Sequence, residues 1–388
     1  MNPAAAAQPG FTPDLLVGCL YEFPTGELEF SKSRRAGQAA IEAVETFVDN
    51  HKHGQLKGYL PAACSRGLVS LRRRPSPPPP TTDHGGFVPS SSEITVCNPM
   101  TAQFHGFLPH PAIHDESHVL LPAAAEGTGS FRLHVVNLEL VPHAGVLQIQ
   151  TFSSAAGNWG PVVATYARLP LGSPCRFLRP TPLVLNGSVA YWLCVSGPAQ
   201  DSASGSDNNK QPECHVLALP LDGARQPGPI GLPAQLLQRR GGFKPNREKL
   251  LLAATPGPRR DRLTLVSVKG LKMTMWALLD DDDEEEGGQG ETTSRWTRLP
   301  GVDVGRSLAR FHDIPELTRE DTVSLECFAE RSRAVLFRLY HGTLFKVDLD
   351  TMEAFFLGIY SKQADTELCP YESGRGENSM DCCADAHG

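Results

Sequence analysis

Leu185-Asn186-Gly187-Ser188-Val189-Ala190-Tyr191-Trp192-Leu193-Cys194-Val195 joins a tight-turn signal to a strand that is apolar on both faces. Asn186-Gly187 suits the mirror-image tight turn that matches strand twist, because both residues accept positive φ. After it, Val189, Tyr191, Leu193 and Val195 alternate with Ala190, Trp192 and Cys194. Both faces are apolar, so the pattern predicts a strand buried on two sides, in the interior of a sheet.

Working outward, Leu271, Met273, Met275, Ala277 and Leu279 form a second alternating run, and Val335, Phe337 and Leu339 a third. His341-Gly342 lies between Phe337-Arg338-Leu339 and Leu344-Phe345 as another hairpin signal. Strands joined by such short turns are antiparallel neighbours, and no helical segment follows each strand to make parallel crossovers, which removes the doubly wound α/β folds. One helix is predicted, between Ala39 and Asp49, where Ile41, Val44, Phe47 and Val48 recur at helical spacing among Glu42, Glu45 and Asp49. Sandwich, barrel and propeller remain, and strand signals running from about residue 60 to residue 358 exceed what one sandwich usually holds. The expectation is an all-β protein: a β-propeller of antiparallel four-stranded blades, about six of them, without a crisp repeat period. Its domain plan is a disordered N-terminus at 1–10, the propeller over 11–360 and a mobile C-terminal tail at 361–388, with polar insertions near 72–92, 198–213 and 280–294.

The chain has 388 residues, 40% of them hydrophobic, enough for a substantial core. A net charge of −7, from 43 acidic and 36 basic residues, argues against nucleic acid as a partner, since a grip on phosphates needs a clustered basic face. No stretch approaches the ~20 apolar residues that cross a membrane as a helix, and Met1-Asn2-Pro3 with its alanines lacks the charged and apolar regions of a secretory signal. The expectation is a cytoplasmic or nuclear protein that is not secreted and has no membrane partner. The ten cysteines, among them Cys97, Cys194 and Cys327 inside apolar strands, read as reduced, buried, structural thiols. Cys382 and Cys383 read as tail residues without zinc spacing.

Local signatures of chemistry are missing: there is no phosphate-binding glycine loop, His-Glu-x-x-His, nucleophile elbow or Cys-x-x-Cys. His110, His114 and His118 recur every four residues, but Pro109 and Pro111 oppose a helix there, so they are not taken as a metal site. The acidic run Asp280 to Glu286 reads as a solvated block, and Arg72-Arg73-Arg74-Pro75 with Pro77 to Pro80 as an extended loop. Asn186-Gly187-Ser188 matches a glycosylation sequon but serves as a turn. No catalytic, cofactor-binding or metal-ligating residue is therefore expected, and no cofactor.

Several phrases together resemble the plant F-box-associated β-propeller family, especially its grass-type members. They are Cys64-Ser65-Arg66-Gly67-Leu68-Val69, Val96-Cys97-Asn98-Pro99-Met100-Thr101 with Leu108-Pro109, Phe152-Ser153-Ser154 with Gly157 and Trp159, and Leu185 to Trp192. Leu217-Ala218-Leu219 with Leu221-Asp222, Met275-Trp276-Ala277-Leu278 with Trp296, and Leu344 to Leu349 resemble later blades. The resemblance implies a non-catalytic protein-binding module like the substrate-recognition part of a ubiquitin ligase, its partner unidentified, with Skp and cullin components as possible partners. The family's F-box would precede the ring, but only about ten residues do so here, and Thr12-Pro13-Asp14-Leu15-Leu16 leads into a first strand instead. Alternatives are a propeller enzyme using its central channel, and a truncated relative outside any ligase.

Overall fold

The computed structural model describes residues 15–373 except 24, 34–35, 75–92, 115, 123–129, 142–143, 168–174, 197–212, 223–225, 238–247, 280–295, 309–322, 340–341 and 360–367. The expectations for residues 1–10, Pro77 to Pro80, Asp280 to Glu286, Cys382 and Cys383 lie outside the described residues, as do most of the three insertions. At their flanks, Arg72 and Arg73 belong to a strand, and Glu213 begins one.

Six antiparallel sheets form a six-bladed β-propeller. Blade I is β3 (Tyr59–Ser65), β4 (Leu68–Arg73), β5 (Ile94–Asn98) and β6 (Gln103–Leu108). Blade II is β7 (Ser117–Pro122), β8 (Phe131–Val141) and β9 (Ala144–Ser153), with β10 (Asn158–Trp159) and β11 (Val163–Ala167) both pairing β9. In blade III, β12 (Cys175–Phe177) and β13 (Leu183–Leu185) share the inner edge of β14 (Val189–Ser196), followed by β15 (Glu213–Pro220) and β16 (Gly228–Gly231). Blade IV is β17 (Leu250–Thr255), β18 (Arg262–Lys269), β19 (Lys272–Leu278) and β20 (Trp296–Asp303). Blade V is β21 (Val323–Ala329), β22 (Ala334–Leu339), β23 (Thr343–Asp348) and β24 (Ala354–Ile359). Blade VI joins the two ends of the chain: β25 (Cys369–Glu372) pairs β1 (Leu16–Glu22), which pairs β2 (Leu28–Lys32).

Strand β14 behaves as its alternation predicts. Leu193 and Val195 enter the apolar core shared with blades IV and V, while Ala190, Trp192 and Cys194 enter the seam with Val119, Val136, Leu138 and Leu147 of blade II. Asn186 (φ 53°) and Gly187 (φ 64°) are both left-handed, as the tight turn requires, so the sequon is a hairpin tip. Similar seams join the other blades, for example Ile94, Val96 and Leu108 of blade I against Phe131, Leu133 and Phe152 of blade II. The predicted helix is α1 (Gln38–His51), and its Ile41, Val44, Phe47 and Val48 fill the space between blade VI (Val17, Leu20, Tyr371) and blade I (Val69, Leu71, Cys97).

One boundary is corrected. The expected tail at 361–388 contains β25, the innermost strand of the closing blade. Cys369, Tyr371 and Glu372 are buried, and the Tyr371 hydroxyl donates to the Gly67 carbonyl (3.1 Å). The segment is four residues long and contains Pro370, which argues against a central strand from sequence alone. It is tolerated because β25 pairs only with β1 and leaves its other edge towards the channel, so a missing amide donor costs no ladder bond.

Candidate functional site

The innermost strands of all six blades converge on an axial cavity of about 660 Å³. Its wall includes residues of β3, β7, β13, β17, β21 and β25, so no local segment of sequence contains it. The turns from innermost to second strand gather there: Arg66 of blade I, Asn186-Gly187 of blade III and Glu330-Arg331 of blade V all line it. Arg66 takes up a left-handed conformation (φ 47°).

Among the described residues four carboxylates line this cavity, and three are held by a guanidinium or by several donors. Asp261 is paired with the Arg333 guanidinium at 2.7 Å, and Glu326 with that of Arg338 at 2.9 Å. Glu372 accepts from the Ser332 amide and hydroxyl, each at 2.6 Å, and from the Arg331 amide at 3.0 Å. Burial raises the Glu372 carboxyl above its usual range, and these donors act against that rise. Glu372 thus ties the closing strand to blade V. Arg179 does comparable work from blade III, donating through Nε to Leu250 O (3.1 Å), through Nη2 to Leu325 O (2.6 Å) and through Nη1 to Glu326 O.

Glu330 is the fourth. It follows β21, and one carboxylate oxygen accepts the Val184 amide (3.1 Å) of blade III, which is not a neighbour of blade V. Burial pushes its carboxyl up to about 7; the Val184 amide and Arg66 oppose the rise, and the charge of Glu372 adds to it. A carboxyl in this range can give or take a proton at neutral pH. Sequence reading had no signal for it, because Glu330 sits in an ordinary polar turn, Glu330-Arg331-Ser332, and acquires its environment from residues 146 positions away.

The other residues considered from sequence separate. His110 and His114 lie in the connection before β7, and His118 lies within β7, buried, its Nδ1 2.9 Å from the Ser70 hydroxyl, so the three share no helix face. A different metal-competent group appears instead. Cys175, Cys194 and His215 place their ligand atoms within 4.8 Å of one another, all buried, and they form the one such three-residue group of metal-binding side chains among the described residues. The Cys194 hydrogen bond and then the His215 imidazole lower the Cys175 thiol to about 6, against the effect of burial. The cysteines had been read as scattered structural thiols; only strand register brings these two to one histidine.

No described helix is long and apolar enough to cross a membrane. No curated protein matches the chain in sequence. Among solved structures, the chain is similar to Kuenenia stuttgartiensis hydrazine synthase, at 7% identity and TM-score 0.35, covering 75% of this chain and 68% of that one. It is also similar to the Penicillium chrysogenum α-L-arabinanase bound to arabinobiose, at 11% identity and TM-score 0.35 over 81% of each chain. A third, the α-L-arabinofuranosidase Arb93A of Fusarium graminearum, is 12% identical with TM-score 0.33, covering 84% of this chain and 88% of that one. The expectation of a non-catalytic module is corrected: it rested on missing local motifs, whereas the cavity wall, with the raised Glu330 carboxyl in it, is assembled from strands of all six blades. A ring draws its site from distant strands, so the lack of a local motif does not bear on catalysis. The model of the family described as Domain of unknown function (DUF7595) matches residues 18–372, from the first strand to the closing one, and the chain belongs to that family.

Proposed function

We propose that this protein binds a small, polar, uncharged molecule in its axial cavity and performs acid–base chemistry on it, with Glu330 donating a proton to a leaving oxygen. The observation that carries this reading is the placement of Glu330: a carboxyl with its proton affinity raised to about 7, in the wall of a cavity on which all six blades converge. The other three carboxylates are more heavily engaged, Asp261 and Glu326 each paired with a guanidinium and Glu372 accepting from three donors, against the single Val184 amide at Glu330. Arg66 and Arg331, also in the wall, are placed to hold a polar ligand beside it.

The test is a panel of p-nitrophenyl glycosides and esters with the purified full chain, wild type and Glu330→Gln. Turnover by the wild type that falls roughly 10²- to 10⁴-fold in the variant supports the reading. No turnover across the panel, together with no thermal stabilisation by any member, counts against it. The same variant has a second readout. The folded protein holds the Glu330 proton between about 4.5 and about 7, where the unfolded chain has released it, so this group's contribution is fully present below about 4.5 and is lost as pH rises through about 7. Glu330→Gln is therefore expected to be more stable than wild type at pH 8, by at most about 3 kcal/mol, and equal to it at pH 4. Urea midpoints at the two pH values measure this; equal midpoints at pH 8 would show that the carboxyl is not perturbed.

The phrases shared with F-box-associated propellers favour a second reading, in which the loops between strands capture a protein for a ubiquitin ligase through a separate adaptor contact. Recovery of Skp and cullin subunits with the tagged chain supports it, and their clean absence while other proteins are recovered discards it.

A further inference from the structure

We propose that Cys175, Cys194 and His215 form a zinc site that staples the three strands at one end of blade III. The placement follows from register. Cys194 on β14 stands directly opposite His215 on β15, and Cys175 on β12 stands opposite Ser196, two residues along from Cys194. Opposed residues of an antiparallel pair share a face, as do residues two apart in a strand, so all three side chains project to the same side of the sheet. That side is the seam with blade II, where Phe177 and Trp192 pack beside the two thiols. Relative exposures of 2%, 0% and 4% for Cys175, Cys194 and His215 remove competing water.

The spacing of one ligand pair matches that around a tetrahedral ion, and all three ligand atoms lie within 4.8 Å of one another. Zinc bonds of about 2.3 Å to sulfur and about 2.05 Å to nitrogen, at the tetrahedral angle, put a thiolate sulfur and an imidazole nitrogen about 3.6 Å apart. The Cys175 Sγ to His215 Nε2 distance is 3.6 Å, so the hydrogen bond that now joins them already has the spacing a shared ion needs. His215 Nδ1 is buried without a hydrogen-bond partner, so nothing on that side orients the ring, and the contacts on the Nε2 side set its position. Two thiolates and an imidazole form a soft donor set suited to zinc and unsuited to magnesium or calcium. Three protein ligands leave a fourth corner. Glu116, which takes the Leu138 amide at 3.1 Å, is within electrostatic reach of both thiols.

The experiment measures metal in the full chain expressed with zinc in the medium, then replaces it with cobalt. About one zinc per chain is expected, with cobalt giving the thiolate charge-transfer band and the strong visible bands of a tetrahedral centre. Cys194→Ser should lose the ion and the charge-transfer band. Cys214→Ser, which removes a neighbouring thiol that packs into the opposite seam, should keep both. If Cys194→Ser fails to fold, the intensity of the wild-type cobalt band still counts the thiolates, and two are expected. Zinc below about a tenth of an equivalent would overturn the proposal, as would a cobalt spectrum without thiolate character or a Cys175–Cys194 disulfide in the purified protein. Ion loss in Cys214→Ser and not in Cys194→Ser would overturn it as well.

Discussion

A chain ending at residue 360 is expected to lose cooperative folding, whereas one ending at 373 keeps every contact of the closing strand that the described residues make. The first truncation removes β25, whose register with β1 pairs Gly18 with Tyr371, Cys19 with Pro370 and Leu20 with Cys369. It exposes the edge of a strand that is otherwise almost wholly buried, and unpaired edges of that kind invite association. Tyr371, at 0% exposure, and the buried Leu368 and Cys369 leave with it. Each large apolar side chain lost accounts for about 1.5–3 kcal/mol, and the ladder hydrogen bonds add about 1 kcal/mol each. Three further links to the rest of the ring go too: Glu372 to Ser332, Tyr371 to Gly67, and the Ser373 amide to the Leu15 carbonyl (2.9 Å). The total approaches the whole stability of a typical domain, about 5–15 kcal/mol. Circular dichroism melts and size-exclusion profiles of the two truncations decide the matter: a sharp thermal transition in the 360 chain, within a few degrees of the full chain, would show that the ring does not need its last strand.

Trp192→Ala is expected to cost about 3–5 kcal/mol, and Trp192→Phe about 1–2 kcal/mol. Trp192 has no exposed surface and stacks on Phe177 with ring centroids 5.5 Å apart. Its indole N–H donates to the Ser117 hydroxyl of blade II at 2.8 Å, and that hydroxyl donates to the Pro180 carbonyl. Alanine leaves a cavity in the seam between blades II and III and an acceptor without its donor; phenylalanine loses mainly the hydrogen bond. Phe107, 57% exposed on the outermost strand of blade I, is the comparison, and Phe107→Ala should stay within about 0.5 kcal/mol of wild type. Chemical denaturation of the three variants checks the ranking, and a Trp192→Ala cost no greater than that of Phe107→Ala would remove the claim that this seam is tightly packed.

The two truncations and the tryptophan variants divide what sequence can and cannot say. Trp192 was legible as a core residue because alternation along one strand assigns faces without knowing what lies opposite. The same held for α1, whose apolar stripe from Ile41 to Val48 is periodic over about two turns, and for the Asn186-Gly187 hairpin, whose φ requirement is local. β25 was not legible. Its four residues are too few to show a period, its proline points away from a strand, and its partner β1 lies at the other end of the chain. Glu330 and the Cys175, Cys194 and His215 group were missed for a related reason: each is chemically ordinary until residues from other strands desolvate or approach it.

Residue types and their spacing by themselves determined that short, two-faced strands would pair with their chain neighbours through tight turns, since those interactions span only a few bonds of backbone. Tertiary structure alone decided where the circle closes, which carboxyl holds a proton near neutral pH and which thiols meet a histidine. Those outcomes depend on register and on approach between residues far apart in the chain, and no local periodicity encodes them.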